Sequence, residues 1–191
     1  MRCISAFLFY LRTDNSMNFK DLPIGSQFPR VINAVVEIPK GSRNKYEYDV
    51  DLGVFKLDRV LYSSMHYPEA YGFVPNTLWD DGDPLDILIF IDQPLFTGVV
   101  VEVKPIGILR MKDEKGPDDK LLSVAVNDPT YRNISDVKDV PNHLLVEIEH
   151  FFTSYKKLEN KHVESFGWDN VLVALEAVKH GHQQYLAKKK V

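Results

Sequence analysis

Between residues 31 and 126 the apolar positions fall into six short runs, at 31–38, 45–50, 54–62, 86–91, 99–110 and 121–126. They are rich in Val, Ile, Leu and Tyr, with Gly, Pro, Asn or Asp between several of them. Runs of this length and composition read as strands, and six of them predict a small barrel or strongly curved sheet. Beyond residue 140 the period changes. Leu144, Leu145, Ile148, Phe151, Phe152, Tyr155 and Leu158 recur at helical spacing with Pro141 near the first turn, which predicts an amphipathic helix. A second helix is expected from about residue 169, buried through Val171, Leu172, Leu175 and Val178, with Gly181 fraying or ending it. The fold class is therefore α+β and mainly β.

Ahead of the strands, residues 4–11 form a mostly apolar run of eight after Met1, Arg2 and Cys3. A helix that spans a bilayer needs about 20 residues, and no small-x-small cleavage site follows Leu11. Met17 offers a simpler account: residues 1–16 are expected to be an upstream extension outside the fold, and residues 17–191 a single domain. At 191 residues one substantial core is the economical expectation. Lys188, Lys189 and Lys190 read as a solvated end, and no internal repeat, Gly-rich phosphate loop or low-complexity linker interrupts the chain.

Charge narrows the function classes. A net charge of −4 argues against a general nucleic-acid binder, which presents a basic face. The single cysteine, Cys3, leaves no intrachain disulfide and no cysteine-rich zinc site, and suits a reducing cytoplasm. None of the six histidines has the HExxH spacing of a zinc protease.

The candidate chemistry begins at residues 79–87, where Asp80, Asp81, Asp83 and Asp86 place four carboxylates within seven residues, broken by Gly82 and Pro84. Asp81 and Asp83 leave one face of an extended segment about 7 Å apart. With Asp86 at the edge of the next strand, they offer the hard oxygen ligands that Mg²⁺, Mn²⁺ and Ca²⁺ prefer. A solvated acidic turn is the plain alternative. An EF-hand is excluded, because Leu85 stands where its third acid belongs and Gly82 is misplaced.

Other charges interrupt strand patterns. Arg59 shares its face with Leu57 and Leu61, so its guanidinium needs an anionic partner, either a nearby Asp or a phosphate group. Lys45 and Glu47 point one way while Tyr46 and Tyr48 point the other, and Glu37 aligns with Val35. Lys45, Glu47 and Glu37 taken singly read as exposed; together they place cations and carboxylates on adjacent strands. A second acidic cluster at residues 113–120 needs no function beyond a Gly-Pro turn joining two strands. Tyr155 falls on the apolar stripe of the first helix beside Lys156, and could point its hydroxyl into a cavity.

These segments in this order resemble the soluble family I inorganic pyrophosphatases of bacterial type. Residues 81–87 fit that family's Asp-x-Asp-Pro-apolar-Asp-apolar turn, and Val36-Glu37-Ile38-Pro39, Lys45-Tyr46-Glu47, Asp58-Arg59, Tyr67-Pro68, Tyr71-Gly72, Asp113-Glu114, Asp118-Asp119-Lys120 and Tyr155-Lys156 match its other motifs. The resemblance runs from about Met17 to the C-terminus. It implies an OB-like five-stranded closed barrel with two main helices packed against it, and hydrolysis of pyrophosphate to two orthophosphates by a metal-activated water. Several Mg²⁺ ions are implied, with Mn²⁺ or Zn²⁺ as substitutes, and the assembly implied is a cytoplasmic homohexamer with no nucleic-acid or membrane partner.

By that resemblance Asp81, Asp86, Asp113, Asp118 and Glu47 hold metal ions and Asp83 accepts the proton of the attacking water. Lys45, Arg59, Tyr71, Lys120, Tyr155 and Lys156 contact phosphate, and Glu37, Tyr67 and Glu114 line the cavity wall. Two other classes stay open from the residues alone. An OB-like binding module for oligonucleotides conflicts with four Asp in one turn, which repel a phosphate backbone. A non-catalytic divalent-cation protein leaves Lys45, Arg59, Lys120 and Lys156 without a task.

Overall fold

The computed structural model describes residues 18–189. The expected start at Met17 and the segment before it lie outside the described residues. The chain runs through β1 (Ile32–Ile38), β2 (Asn44–Asp49), β3 (Val54–Val60), β4 (Ala70–Phe73), β5 (Asp86–Phe90), β6 (Val100–Asp113), β7 (Gly116–Pro117) and β8 (Lys120–Ala125). It then forms α1 (Asn142–Ser154), β9 (Glu164–Asn170) and α2 (Val171–Lys188), with short 3-10 turns that include Phe19–Asp21 and Lys157–Glu159.

Five strands close on themselves. β1 pairs β4, β4 pairs β5, β5 pairs β8, β8 pairs β6, and β6 returns to β1 through Ile32↔Val103. All these pairings are antiparallel except β5–β8, where Asp86 lies beside Lys120 in parallel register. The fourteen residues of β6 make the closure possible: its first part pairs β1, its middle pairs β8, and its far end carries β7 and β9. Register shifts at Val36/Ile38 and Pro105/Gly107 supply bends of the kind that small closed sheets need.

The mainly-β architecture with two helices is as the sequence predicts, and a ring of five strands is present. The membership of the ring differs from the six runs. β2 and β3 leave it as a separate two-stranded hairpin, and β4 takes a place in it. β4 has only four residues, one of them Gly72, and β9 reads Glu-Ser-Phe-Gly-Trp-Asp-Asn, so neither carries an apolar run long enough to stand out.

Alternation along β5 splits the core in two. Ile87 and Ile89 join the cluster under α2, while Leu88 and Phe90 join the cluster under α1. β8 is buried at all six positions, which explains its continuous apolar run. α1 buries Ile148, Phe151 and Phe152, and full burial of such side chains contributes about 1.5–3 kcal/mol each. The helix ends at Ser154, earlier than its apolar stripe implies. Tyr155 is the C-cap and Leu158 lies exposed in the following 3-10 turn.

α2 differs more. It continues past Gly181 to Lys188 and buries Ala174, Ala177, Val178 and Gly181, whereas Leu172 is 68% exposed. The small residues set the contact: a Cβ on Gly181 would lie 3.3 Å from Thr77 Cβ, and the Gly181 carbonyl accepts the Leu78 N–H at 2.9 Å. Among the described residues no helix is long and apolar enough to cross a membrane.

Gly72 is demanded by the ring itself. A Cβ there would stand 1.8 Å from the Val35 carbonyl oxygen on β1, and a backbone atom cannot move aside as a flexible side chain can. Gly72→Ala is expected to destabilise the fold by about 1–3 kcal/mol or more, measured as a lowered urea midpoint. An unchanged midpoint would mean that β1 and β4 can separate without cost.

Candidate active site

The acidic turn between β4 and β5 is held by its own backbone. Trp79 N–H donates to the Asp83 carbonyl at 2.7 Å, Gly82 N–H to the Trp79 carbonyl at 3.0 Å, and Asp83 N–H to Asp81 Oδ1 at 3.1 Å. Gly82 has φ +94°, a conformation that costs glycine little. On either side, buried Trp79 and Leu85 fasten the turn, and Thr77 Oγ1 accepts the Leu85 N–H at 2.9 Å. The four carboxylates divide. Asp80 turns outward to Gln184 on α2, at 2.8 Å. Asp81, Asp83 and Asp86 line a cavity of about 350 Å³.

Sheet register supplies the next wall. Because β5 and β8 start side by side, Lys120 Nζ donates to Asp86 Oδ2 at 2.5 Å and also to Asp118 Oδ1. Lys120 is 2% exposed. Burial alone would lower its pKa, but Asp86 and Asp118 overcome that and hold it well above the ordinary lysine value. Burial raises Asp118 against the opposing pull of Lys120. It also lifts Asp81 to about 6, helped by the charges of Asp86, Asp118 and Asp83. At the end of β6, Asp113 accepts from Lys156 Nζ at 3.1 Å and from Lys115 N–H at 2.8 Å. Burial opposes these bonds, yet they keep Asp113 below its ordinary value.

The β2–β3 hairpin brings the remaining cations. Lys45 and Arg59 are cross-strand partners. Lys45 donates to Glu47 and, at 3.2 Å, to Asp58 Oδ2, while Arg59 Nη1 donates to the same Asp58 oxygen. Of the two leucines on the face of Arg59, Leu61 is buried and Leu57 is exposed, and the guanidinium has the anionic partners expected of it in Asp58 next to it and Glu159. Glu37 departs from the exposed reading. It lines the cavity and accepts the Tyr48 N–H at 2.8 Å.

Tyr71 and Tyr155 reach the cavity from an aromatic stack in which Tyr67 and Tyr155 both pack on Phe151 with ring centroids 4.9 Å away. Burial raises all three phenols, so they stay protonated donors near neutral pH. Tyr67 stands behind the wall, whereas Glu47 and Glu114 form part of the lining. Asp58, Lys20, Lys115 and Lys161 also line it. Asp58 had a signal in its place beside Arg59. The three lysines had none, being ordinary surface charges until the chain folds.

Glu37 gives a pH test. Burial pushes it up to about 8 from an ordinary 4.5, with Asp86 adding to the rise and the Tyr48 N–H opposing it. Below pH 4.5 it is protonated in both folded and unfolded chains. As pH rises towards 8 only the unfolded chain ionises, so the folded state binds more protons and loses stability. In metal-free buffer Glu37→Gln should therefore gain on the wild type as pH rises across that window, by on the order of 1–3 kcal/mol. A pH-independent difference in urea midpoints would refute the assignment.

Nine carboxylates and seven cations line the cavity, a formal excess of two negative charges. A closed ring with such a mixed-charge pocket defines a protein built to hold a small, densely charged anion together with cations. The family model for inorganic pyrophosphatase matches residues 34–186. The inorganic pyrophosphatase of Thermus thermophilus is 50% identical over 165 residues, covering 85% of this chain and 94% of that protein. That of Methanosarcina acetivorans is 50% identical over 161 residues, covering 84% and 96%. A crystal structure of inorganic pyrophosphatase from Thermus thermophilus superposes with a TM-score of 0.87 at 48% identity, covering 89% of this chain and 99% of that one. The chain belongs to the inorganic pyrophosphatase family.

Proposed function

We propose that the chain hydrolyses inorganic pyrophosphate to two orthophosphates, that Mg²⁺ is required, and that Asp83 is the general base. The observation that carries this is the single cavity in which Asp81, Asp83 and Asp86 face Lys45, Arg59, Lys120 and Lys156. Phosphoryl transfer is catalysed chiefly by positioning and charge neutralisation, and this lining supplies both.

The donors suit a hard cation: Asp81, Asp86, Asp113, Asp118 and Glu47 offer only carboxylate oxygen. The excess of acid also means that a pyrophosphate anion enters favourably only with cations beside it. Among the described residues no three acids are gathered into a ready-made cage. The Lys120 ammonium bridges Asp86 and Asp118, so a divalent ion has to compete with it for those oxygens. When bound, such ions neutralise phosphate charge and make water acidic enough to lose a proton near neutral pH.

Within that arrangement Lys45, Lys120 and Lys156 act as point charges on phosphate oxygens, and Arg59 as a planar donor. Tyr71 and Tyr155 donate hydroxyl hydrogen bonds to phosphate, Glu37 and Glu114 line the wall, and Tyr67 supports it from behind. Asp83 is the turn's most exposed cavity carboxylate, with a side chain 63% accessible, and can reach a water without first leaving a buried partner. Lys20 Nζ lies 3.4 Å from its Oδ1.

The test is phosphate release from pyrophosphate by the folded protein with and without Mg²⁺; absence of Mg²⁺-dependent release would defeat the reading. Residues 17–191 are proposed as the functional domain, in the cytoplasm. A homohexamer is proposed with them, supported by exposed apolar residues such as Leu57, Phe96, Phe166 and Leu172. Light scattering should give six chain masses; a monomer rejects it.

A further inference from the structure

Two of the phosphate-side cations, Lys45 and Arg59, stand on a hairpin that shares no ladder with the ring. The hairpin is anchored to β1 and β4 through Tyr48, which packs on Val35 and Phe73 and donates its N–H to Glu37, but that anchor lies on β2 and does not itself orient the long Arg59 side chain, so something must aim it. Its Nε donates to Glu159 Oε1 at 3.0 Å, a bond spanning 100 positions of sequence. Glu159 lies in the 3-10 turn after α1, next to Tyr155 and Lys156, and its side chain is only 8% exposed.

The turn itself is locked. Asn160 adopts the left-handed conformation with φ 57°, and Lys161 N–H returns to the Lys156 carbonyl at 3.3 Å. Lys161 Nζ is 3.7 Å from the other Glu159 oxygen. With Nε held by Glu159 and Nη1 by Asp58, the guanidinium plane is fixed at two of its three nitrogens while Arg59 still lines the cavity.

We infer that Glu159 is a positioning residue for pyrophosphate binding: it ties the β2–β3 hairpin to the turn carrying Tyr155 and Lys156, and so sets the direction of Arg59. This rests on the reading that Arg59 contacts phosphate. A carboxylate beside a phosphate-binding cation also weakens that cation's field. Its contribution here must therefore come from geometry, which makes the role separable from one of charge.

The experiment is steady-state hydrolysis of pyrophosphate at saturating Mg²⁺ by the full chain and five variants: Glu159→Ala, Glu159→Gln, Glu159→Asp, Arg59→Ala and the double Glu159→Ala/Arg59→Ala. Loss of a charge-assisted hydrogen bond that aims a ligand-binding group should raise KM on the order of tenfold in Glu159→Ala. Gln keeps an acceptor oxygen at the same reach and should restore KM to within about threefold of wild type. Asp keeps the charge but withdraws it by one methylene, so its KM should rise with that of Ala. If Glu159 acts only through Arg59, the double variant is no worse than Arg59→Ala.

An unchanged KM in Glu159→Ala, additive losses in the double variant, or a reversed order of Gln and Asp overturns the inference. Should Glu159→Ala fail to fold, the Gln and Asp pair decides by itself. Unchanged kinetics in Arg59→Ala would remove the phosphate role of Arg59, and this inference with it. An impaired Arg59→Ala beside a normal Glu159→Ala removes the inference alone.

Discussion

Asp83→Asn should fold and bind Mg²⁺ much as the wild type does, while turnover falls by about 10²–10⁴-fold, the range set by loss of a general base. The substitution keeps the shape of the side chain and removes only its basic oxygen. Because the Asp83 side chain is exposed and, among the described residues, its carboxylate pairs with Lys20 alone, at 3.4 Å, little stability is at stake; exposed pairs contribute about 0–1 kcal/mol. The backbone bonds of the turn run through Trp79, Gly82 and the Asp83 main chain, which Asn leaves intact. Turnover near the wild-type rate would show that some other group takes the proton. A parallel collapse of Mg²⁺ affinity, measured by calorimetry, would make Asp83 a ligand instead.

Lys120→Met is the second substitution with a large expected effect. It leaves Asp86 and Asp118 facing each other without the ammonium that now bridges them. Without that ammonium the two carboxylates repel each other across a partly buried gap, which favours another cation between them. Breaking a buried pair of this kind costs about 3–5 kcal/mol, and the urea midpoint in metal-free buffer should fall accordingly. Added Mg²⁺ should then raise the midpoint of the variant more than that of the wild type, since the ion no longer competes with an ammonium. Turnover should remain depressed by roughly 10²-fold, because one donor to the phosphate is gone. Equal Mg²⁺ stabilisation of both proteins would contradict the competition at Asp86 and Asp118.

Much of the fold was legible because the longer strands of the ring, β1, β5, β6 and β8, are buried on at least one face over most of their length. The 121–126 run reads as a strand since β8 is covered on both sides, and the change of period after residue 140 marks α1. β4 was hidden by its brevity and by Gly72, whose necessity is a contact with Val35 that no local pattern records. Gly181 was misread for a related reason. Inside a helix glycine is locally unfavourable, but the close approach of Thr77 and Leu78 outweighs that cost.

At the site, the acidic turn announced itself by its density of charge. Glu159 did not, since its importance rests on a partner 100 residues away. Arg59 was recognised as needing an anion, and the two carboxylates that meet it come from a neighbouring strand residue and a distant turn.

The parallel contact between β5 and β8 reaches into folding kinetics. Asp86 and Lys120 lie 34 positions apart, and they meet only when β8 has docked between β5 and β6. Pairings of such separation form slowly because the intervening chain must be ordered first. Recovery of pyrophosphate hydrolysis during refolding should consequently lag the appearance of helical signal from α1, and a time course of the two makes the enzyme's own activity a clock for closure of the ring.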